Sequence, residues 1–270
     1  MQNDMRLKPP DYYGTIPYAL LWAEELKSKG LVIMITKIIA HRGASYLAEH
    51  ENTMESFRLA VELAADMVEF DVRITSDRKL VVIHDSTFHD MPISYQTFAE
   101  LNRAAAEDGY QIPTFEEVVK FCAGKIFMDI EVKDSGYEKE LVHILHKYCT
   151  YEQYSVKSFF DPVVYRVKKI DPKITTGLLL GKDHPGFIGR MKEVFPVRRL
   201  RQAKCDFVAP FWVFSSRCFV WRLHRKGYPV YVWTVNTEGL IRKLIRRGVD
   251  GVITDKPDLG LIVRKKYYES

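Results

Sequence analysis

The chain has 270 residues, 47% hydrophobic and 28% charged, with a net charge of +5. This ordinary globular usage excludes a disordered chain, a collagen and a coiled coil, and the length fits one large α/β barrel or two modest domains. The longest nearly apolar run, Leu31–Ala40 broken by Lys37, is about half of the ~20 residues that a membrane span needs.

The basic, Pro-containing start (Arg6, Lys8, Pro9, Pro10) does not read as a secretory leader. Tyr18–Leu26 could form an amphipathic helix, and residues 1–33 read as an extension packing on the domain that spans 34–270. From there strands and helices alternate. Short apolar runs predict strands at Met34–Ala40, Met67–Arg73, Leu80–His84, Ile126–Glu131, Tyr154–Ser158, Ile174–Leu180, Phe207–Pro210, Val230–Thr234 and Val249–Ile253. Helical spacing falls at Thr53–Ala64, where Asn52 and Glu55 read as a capping box. It recurs at Phe115–Cys122, Glu138–Tyr148, Pro162–Lys169, Ser215–Lys226 and Glu238–Arg247.

Nine strands is one too many for a (β/α)8 TIM barrel. The surplus is at Leu80–His84, because too few residues separate Arg73 from Leu80 for a parallel crossover. This run should fold back on Met67–Arg73 as a hairpin. A turn centred on 77/78 sets His84 opposite Asp71, and one centred on 76/77 sets it opposite Glu69. A three-residue loop would flip the face. Arg78 in that turn is expected to avoid a positive φ.

Charge is uneven. Residues 185–270 hold 18 Lys+Arg against 7 Asp+Glu, +11, and the remainder carries 22 against 28, −6. A ring of amphipathic helices with solvated basic faces explains this; peripheral contact with an anionic membrane is the alternative. No zinc-finger spacing or Gly-aromatic motif points to nucleic acid. Cys122, Cys149, Cys205 and Cys218 form no CxxC pair and read as reduced thiols of a cytoplasmic protein, or of the soluble domain of a membrane-tethered one.

Active sites of such barrels lie at the C-terminal ends of the strands. His41 and Arg42 stand there after the first strand, Glu69 and Asp71 on the second, His84 on its return, Glu131 and Lys133 on the next. Trp233, Asn236, Thr254 and Asp255 follow near the last strands. Glu69 and Asp71 are two apart on a strand and share a face. Acids in an apolar strand must be paired or bind a cation. Salt bridges to Arg42, Arg73 and Lys133 would explain each acid singly. Together, Glu69, Asp71 and Glu131 offer oxygen donors suited to one divalent cation, Mg2+ or Ca2+. Two histidines supply a base and an acid near neutral pH, and Arg42 and Lys133 supply fixed cations. The set describes phosphodiester chemistry.

The runs Ile38-Ile39-Ala40-His41-Arg42-Gly43-Ala44-Ser45, Glu51-Asn52-Thr53, Val68-Glu69-Phe70-Asp71-Val72 and Val82-Ile83-His84-Asp85 resemble the glycerophosphodiester phosphodiesterase family. So do Ile112-Pro113-Thr114-Phe115-Glu116-Glu117, Ile130-Glu131-Val132-Lys133, Ser158-Phe159, Val232-Trp233-Thr234-Val235-Asn236 and Gly251-Val252-Ile253-Thr254-Asp255-Lys256-Pro257. The resemblance runs from about Thr36 to Leu259. It implies a (β/α)8 barrel that hydrolyses glycerophosphodiesters to sn-glycerol 3-phosphate and an alcohol. By position it implies an acid/base pair in His41 and His84 and metal ligands in Glu69, Asp71 and Glu131. It implies phosphate binders in Arg42 and Lys133, a supporting Glu51 that orients His41 or Arg42, and a substrate wall in Trp233. The assignment of base and acid stays open, as does the nucleophile, water or the glycerol 2-hydroxyl. A lysophospholipase D acting at a membrane surface, a phosphotransferase that stops at the cyclic phosphate and a non-catalytic phosphate-binding barrel are the alternatives. His50 stands where the family usually has proline, and the short stretch from His84 to Ile112 suggests a more open mouth.

Overall fold

The computed structural model describes residues 35–181 and 186–269. The expected extension at residues 1–33 lies outside the described residues, and the compact unit carrying the barrel begins at Thr36. In chain order the strands are β1 (Lys37–His41), β2 (Met67–Ile74), β3 (Leu80–Val82), β4 (Thr87–Phe88), β5 (Met91–Pro92), β6 (Phe127–Val132), β7 (Tyr154–Ser158), β8 (Thr176–Leu180), β9 (Phe207–Pro210), β10 (Tyr231–Val232) and β11 (Gly251–Thr254). Eight of them are parallel neighbours in the order β10-β11-β1-β2-β6-β7-β8-β9. Parallel bridges Val208–Val230 and Phe211–Trp233 join β9 to β10, which nearly closes the (β/α)8 barrel.

Side chains alternate across the barrel wall, as strand geometry requires. On β2, β6 and β7 the even positions Val68, Phe70, Val72, Met128, Ile130, Val132, Tyr154 and Val156 pack outward in one core with the helices. The odd positions face the interior. The amphipathic helices α1 (Met54–Glu62), α3 (Phe115–Cys122), α4 (Glu138–Tyr148) and α5 (Asp161–Ile170) cover this side; α2 (Phe98–Glu107) lies in the insertion after β3. Burying a large apolar side chain such as Phe57, Phe70 or Phe115 contributes roughly 1.5–3 kcal/mol. On the other side α6 (Gly186–Val194), α7 (Val197–Ala203), α8 (Arg217–His224), α9 (Glu238–Arg246) and α10 (Pro257–Tyr268) complete the ring. The four cysteines are free thiols. Among the described residues no helix is long and apolar enough to cross a membrane.

Four local expectations are corrected. The hairpin register pairs Val72 with Val82, Arg73 with Val81 and Ile74 with Leu80, so the loop has three residues, Ser76 to Arg78, and neither even-numbered turn forms. Arg78 takes φ +61°, the left-handed residue that closes such a loop, rather than avoiding it. Its strand ends at Val82, and His84 reaches the interior from the coil beyond, where Arg73 Nε donates to its carbonyl at 2.9 Å. Lastly, the cap of α1 is Thr53, in a reciprocal box with Ser56. Asn52 cannot cap, because it adopts φ +57° and gives its side chain to Asp71.

The stretch from His84 to Ile112 is a small insertion with its own core of Val81, Ile93, Leu101, Ala105 and Ile112. His50 stacks on Tyr110 with ring centroids 4.2 Å apart, which ties the loop after β1 to this insertion.

Candidate active site

The strand register places the inward residues in two rows. His41, Glu69, Asp129 and Ser155 are neighbours in the lower row, and Asp71, Glu131, Lys157 and Gly177 in the upper. A run of alternating acids on β2 and β6 therefore becomes one three-dimensional cluster. Oxygens of Glu69, Asp71 and Glu131 all lie within 4.8 Å of one another, and all three residues are buried.

The turn after β1 shapes one side of the cluster. Arg42 and Gly43 both have positive φ, +55° and +81°. A β-carbon on Gly43 would lie 2.3 Å from Ser56 Oγ, so only glycine lets the chain pass the start of α1. The turned backbone aims the Arg42 N–H at Glu69 Oε2, 3.1 Å away. The guanidinium reaches Asp71 Oδ2 at 3.2 Å and donates to Glu51 Oε1 at 2.6 Å, so Glu51 braces Arg42 and not His41.

His41 is oriented by a group outside the expected set. Its Nδ1 lies 2.5 Å from Asp255 Oδ1, while Nε2 faces Glu69 at 3.9 Å. Asp255 is steadied by the Asn236 amide. Burial works against the imidazolium of His41, but the Glu69 carboxylate and the Asp255 hydrogen bond outweigh it and raise the pKa above the usual histidine range. His84 differs. It is 36% exposed, its Nδ1 lies 2.7 Å from Asp85, and burial with the nearby Lys133 and Arg42 cations lowers its pKa.

Lys133 Nζ lies 2.6 Å from Glu131 Oε1 and 3.0 Å from Asp71 Oδ1. Burial opposes ionisation of Asp71, yet Lys133 and Arg42 hold its carboxyl well below the usual range. Glu131 is pushed up to about 7, by burial first and then by the Asp71 and Glu69 charges, with Lys133 opposing. Asp71 Oδ1 is buried with the Lys133 ammonium as its ion-pair partner, and the ligand atoms that the cluster offers are all oxygen. An all-oxygen cluster of three buried carboxylates fits a hard divalent cation.

The cluster opens on a cavity of about 430 Å³ that both histidines, Arg42, Arg73, Glu131 and Lys133 also line. The far wall is apolar: Phe159, Phe160, Leu179, Phe211, Trp233 and Ile253. Trp233 is fixed by a 2.8 Å hydrogen bond from Nε1 to the Ala209 carbonyl and packs on Phe159 and Phe211. The expected residues thus converge on one mouth, Glu51 at its edge through Arg42.

Four neighbours were not singled out from the sequence. Asn52 donates to Asp71 Oδ2 at 2.9 Å. Asp255 stood at a strand end but without a role; its spacing to His41 is 214 residues and only the closed barrel joins them. Asp129 and Lys157 carried a readable signal, charged residues at inward positions of apolar strands, and are both buried.

A barrel mouth that gathers two histidines, fixed cations and buried acids around one cavity is the kind of site that phosphate-ester-cleaving barrel enzymes carry. A family profile described as the Glycerophosphoryl diester phosphodiesterase family matches residues 41–259. A glycerophosphodiester phosphodiesterase of Caldanaerobacter subterraneus is 31% identical over 253 residues, covering 86% of this chain and 99% of the relative. A glycerophosphodiester phosphodiesterase from Thermotoga maritima superposes with a TM-score of 0.70 at 28% identity, covering 85% of this chain and 98% of that one. A phosphodiesterase from Oleispira antarctica, solved with the product sn-glycerol-3-phosphate, gives 0.73 at 24% identity, covering 86% and 97%. The chain belongs to the glycerophosphoryl diester phosphodiesterase family.

Proposed function

We propose that this glycerophosphodiester phosphodiesterase releases sn-glycerol 3-phosphate and an alcohol by proton transfer through His41 and His84, with one divalent cation, Mg2+ or Ca2+, held by Glu69, Asp71 and Glu131. The observation that carries the reading is the buried, all-oxygen carboxylate cluster, opening on a cavity that both histidines line. A divalent cation bound there would neutralise charge on the phosphate.

The chain's own residues do the rest. Arg42 and Lys133 bring fixed positive charge to the remaining phosphate oxygens. Asp255 commits Nδ1 of His41, so that imidazole exchanges its proton at Nε2, the nitrogen that faces the cluster. Asp85 commits Nδ1 of His84 in the same way. One imidazole takes the proton of the nucleophile and the other delivers a proton to the leaving alcohol. Trp233, Phe159 and Phe211 give the organic part of the diester an apolar wall and keep water from that side. The product bound to the Oleispira enzyme supports glycerol 3-phosphate as the retained half.

The test is glycerol 3-phosphate release from glycerophosphocholine, first in EDTA and then with Mg2+ or Ca2+ restored. Release that stops in EDTA and returns with the ion is the expected result. Release undiminished by EDTA overturns the metal-dependent reading.

A further inference from the structure

The mechanism leaves Lys157 without a task. Its register neighbour in the upper row is Glu131, yet its ammonium turns down to the lower row. There Nζ lies 2.6 Å from Asp129 Oδ2 and 3.5 Å from Glu69 Oε1. Asp129 is braced by Ser155 Oγ at 2.8 Å. The Lys157, Asp129 and Glu69 side chains are each 1% exposed or less, so the charge is buried among its partners. Glu69 is thereby gripped at both oxygens, Oε1 by the Lys157 ammonium and Oε2 by the Arg42 N–H.

The charge balance gives this placement a consequence. Glu69, Asp71, Asp129 and Glu131 are four buried acids, and Arg42, Lys133 and Lys157 are the three fixed cations paired with them, beside His41. Without Lys157 the nest of four acids would keep two fixed cations, Arg42 and Lys133. Such a nest suits a pair of divalent ions roughly 3.5–4 Å apart.

We propose that Lys157 is a resident cation that takes one position of the carboxylate cluster, limiting the site to a single divalent ion, and that it is a positioning residue for Glu69. The inference rests on the metal-binding reading above. No bond is made or broken by Lys157; its part is to hold charge and geometry.

The test counts Mn2+ bound per chain, by calorimetry and by electron paramagnetic resonance. It compares the unaltered protein with Lys157→Met, Lys157→Arg, Asp129→Asn and Lys157→Met/Asp129→Asn. The unaltered protein and Lys157→Arg should bind one ion. Lys157→Met should bind a second ion, since a like charge beside the site is gone; a folded Lys157→Met that still binds a single ion overturns the limit. Asp129→Asn should bind its ion about tenfold more weakly, and the double variant should return to one ion near the unaltered affinity, because an acid and a cation leave together. If Lys157→Met does not fold, Asp129→Asn and the double variant decide the matter by the same readout. Ion number and affinity that stay unaltered in the folded variants overturn the proposal, since a merely structural lysine would change melting alone. An unaltered protein that binds no ion is a different failure: it removes the metal reading, and this inference with it.

Discussion

The two arcs of the barrel mouth use the same inward-facing strand positions for opposite purposes. From β1 through β7 these positions hold His41, Glu69, Asp71, Asp129, Glu131 and Lys157. From β8 through β11 they hold Leu179, Phe207, Ala209, Tyr231, Trp233 and Ile253. The polar arc is fixed by ion pairs at 2.5–3.9 Å, where each group's charge depends on its neighbours. The aromatic arc is fixed by packing, as in Trp233 against Phe211 at 5.2 Å. Loss of a member should therefore damage chemistry on the first arc and fit on the second.

The largest effect should come from the polar arc. Arg42→Ala removes a cation aimed at developing charge and should lower kcat by roughly 10²–10³-fold; a loss confined to KM would move Arg42 from the reaction to simple binding. Next comes Asp255→Asn, which leaves the shape but no longer holds His41 by an ionised partner. A fall of about 10–100-fold in kcat is expected, with the pH profile displaced. An unchanged profile would separate Asp255 from the histidine's proton transfer.

The aromatic arc should respond more gently. Trp233→Leu should raise KM by roughly tenfold and change kcat less, a methylene-scale loss of fit. Equal losses in kcat would erase the distinction between the arcs. The smallest effect is in stability. The His41 pKa is raised in the folded protein, so its contribution is fully present below the ordinary histidine pKa and is lost as pH rises through the raised value. In EDTA, melting temperature should therefore fall more between pH 6 and pH 9 in the unaltered protein than in His41→Gln; parallel curves would remove the Asp255 and Glu69 contribution.

What could be read in advance follows from period and range. The inward acids were legible because alternation along β2 and β6 puts Glu69 with Asp71 and Asp129 with Glu131 on one face without further knowledge. The barrel was legible because short apolar runs alternate with helical spacing over most of the chain. The hairpin register was not, since it turns on whether Arg78 accepts a left-handed backbone, and a loop one residue longer or shorter shifts the pairing by one residue. Nor was the Asn52 role: a residue preceding Thr53-Met54-Glu55-Ser56 looks like a cap until the fold brings Asp71 beside it. The Asp255 partnership with His41 depends on closing β11 against β1, a contact no local pattern contains.

The most direct test measures glycerol 3-phosphate release by His41→Ala and by His84→Ala with the ion at saturation. Each variant should lose roughly 10²–10⁴-fold in kcat while still binding the ion as the unaltered protein does. Near-normal turnover in either variant would contradict the central claim, that proton transfer at the polar arc is divided between these two histidines.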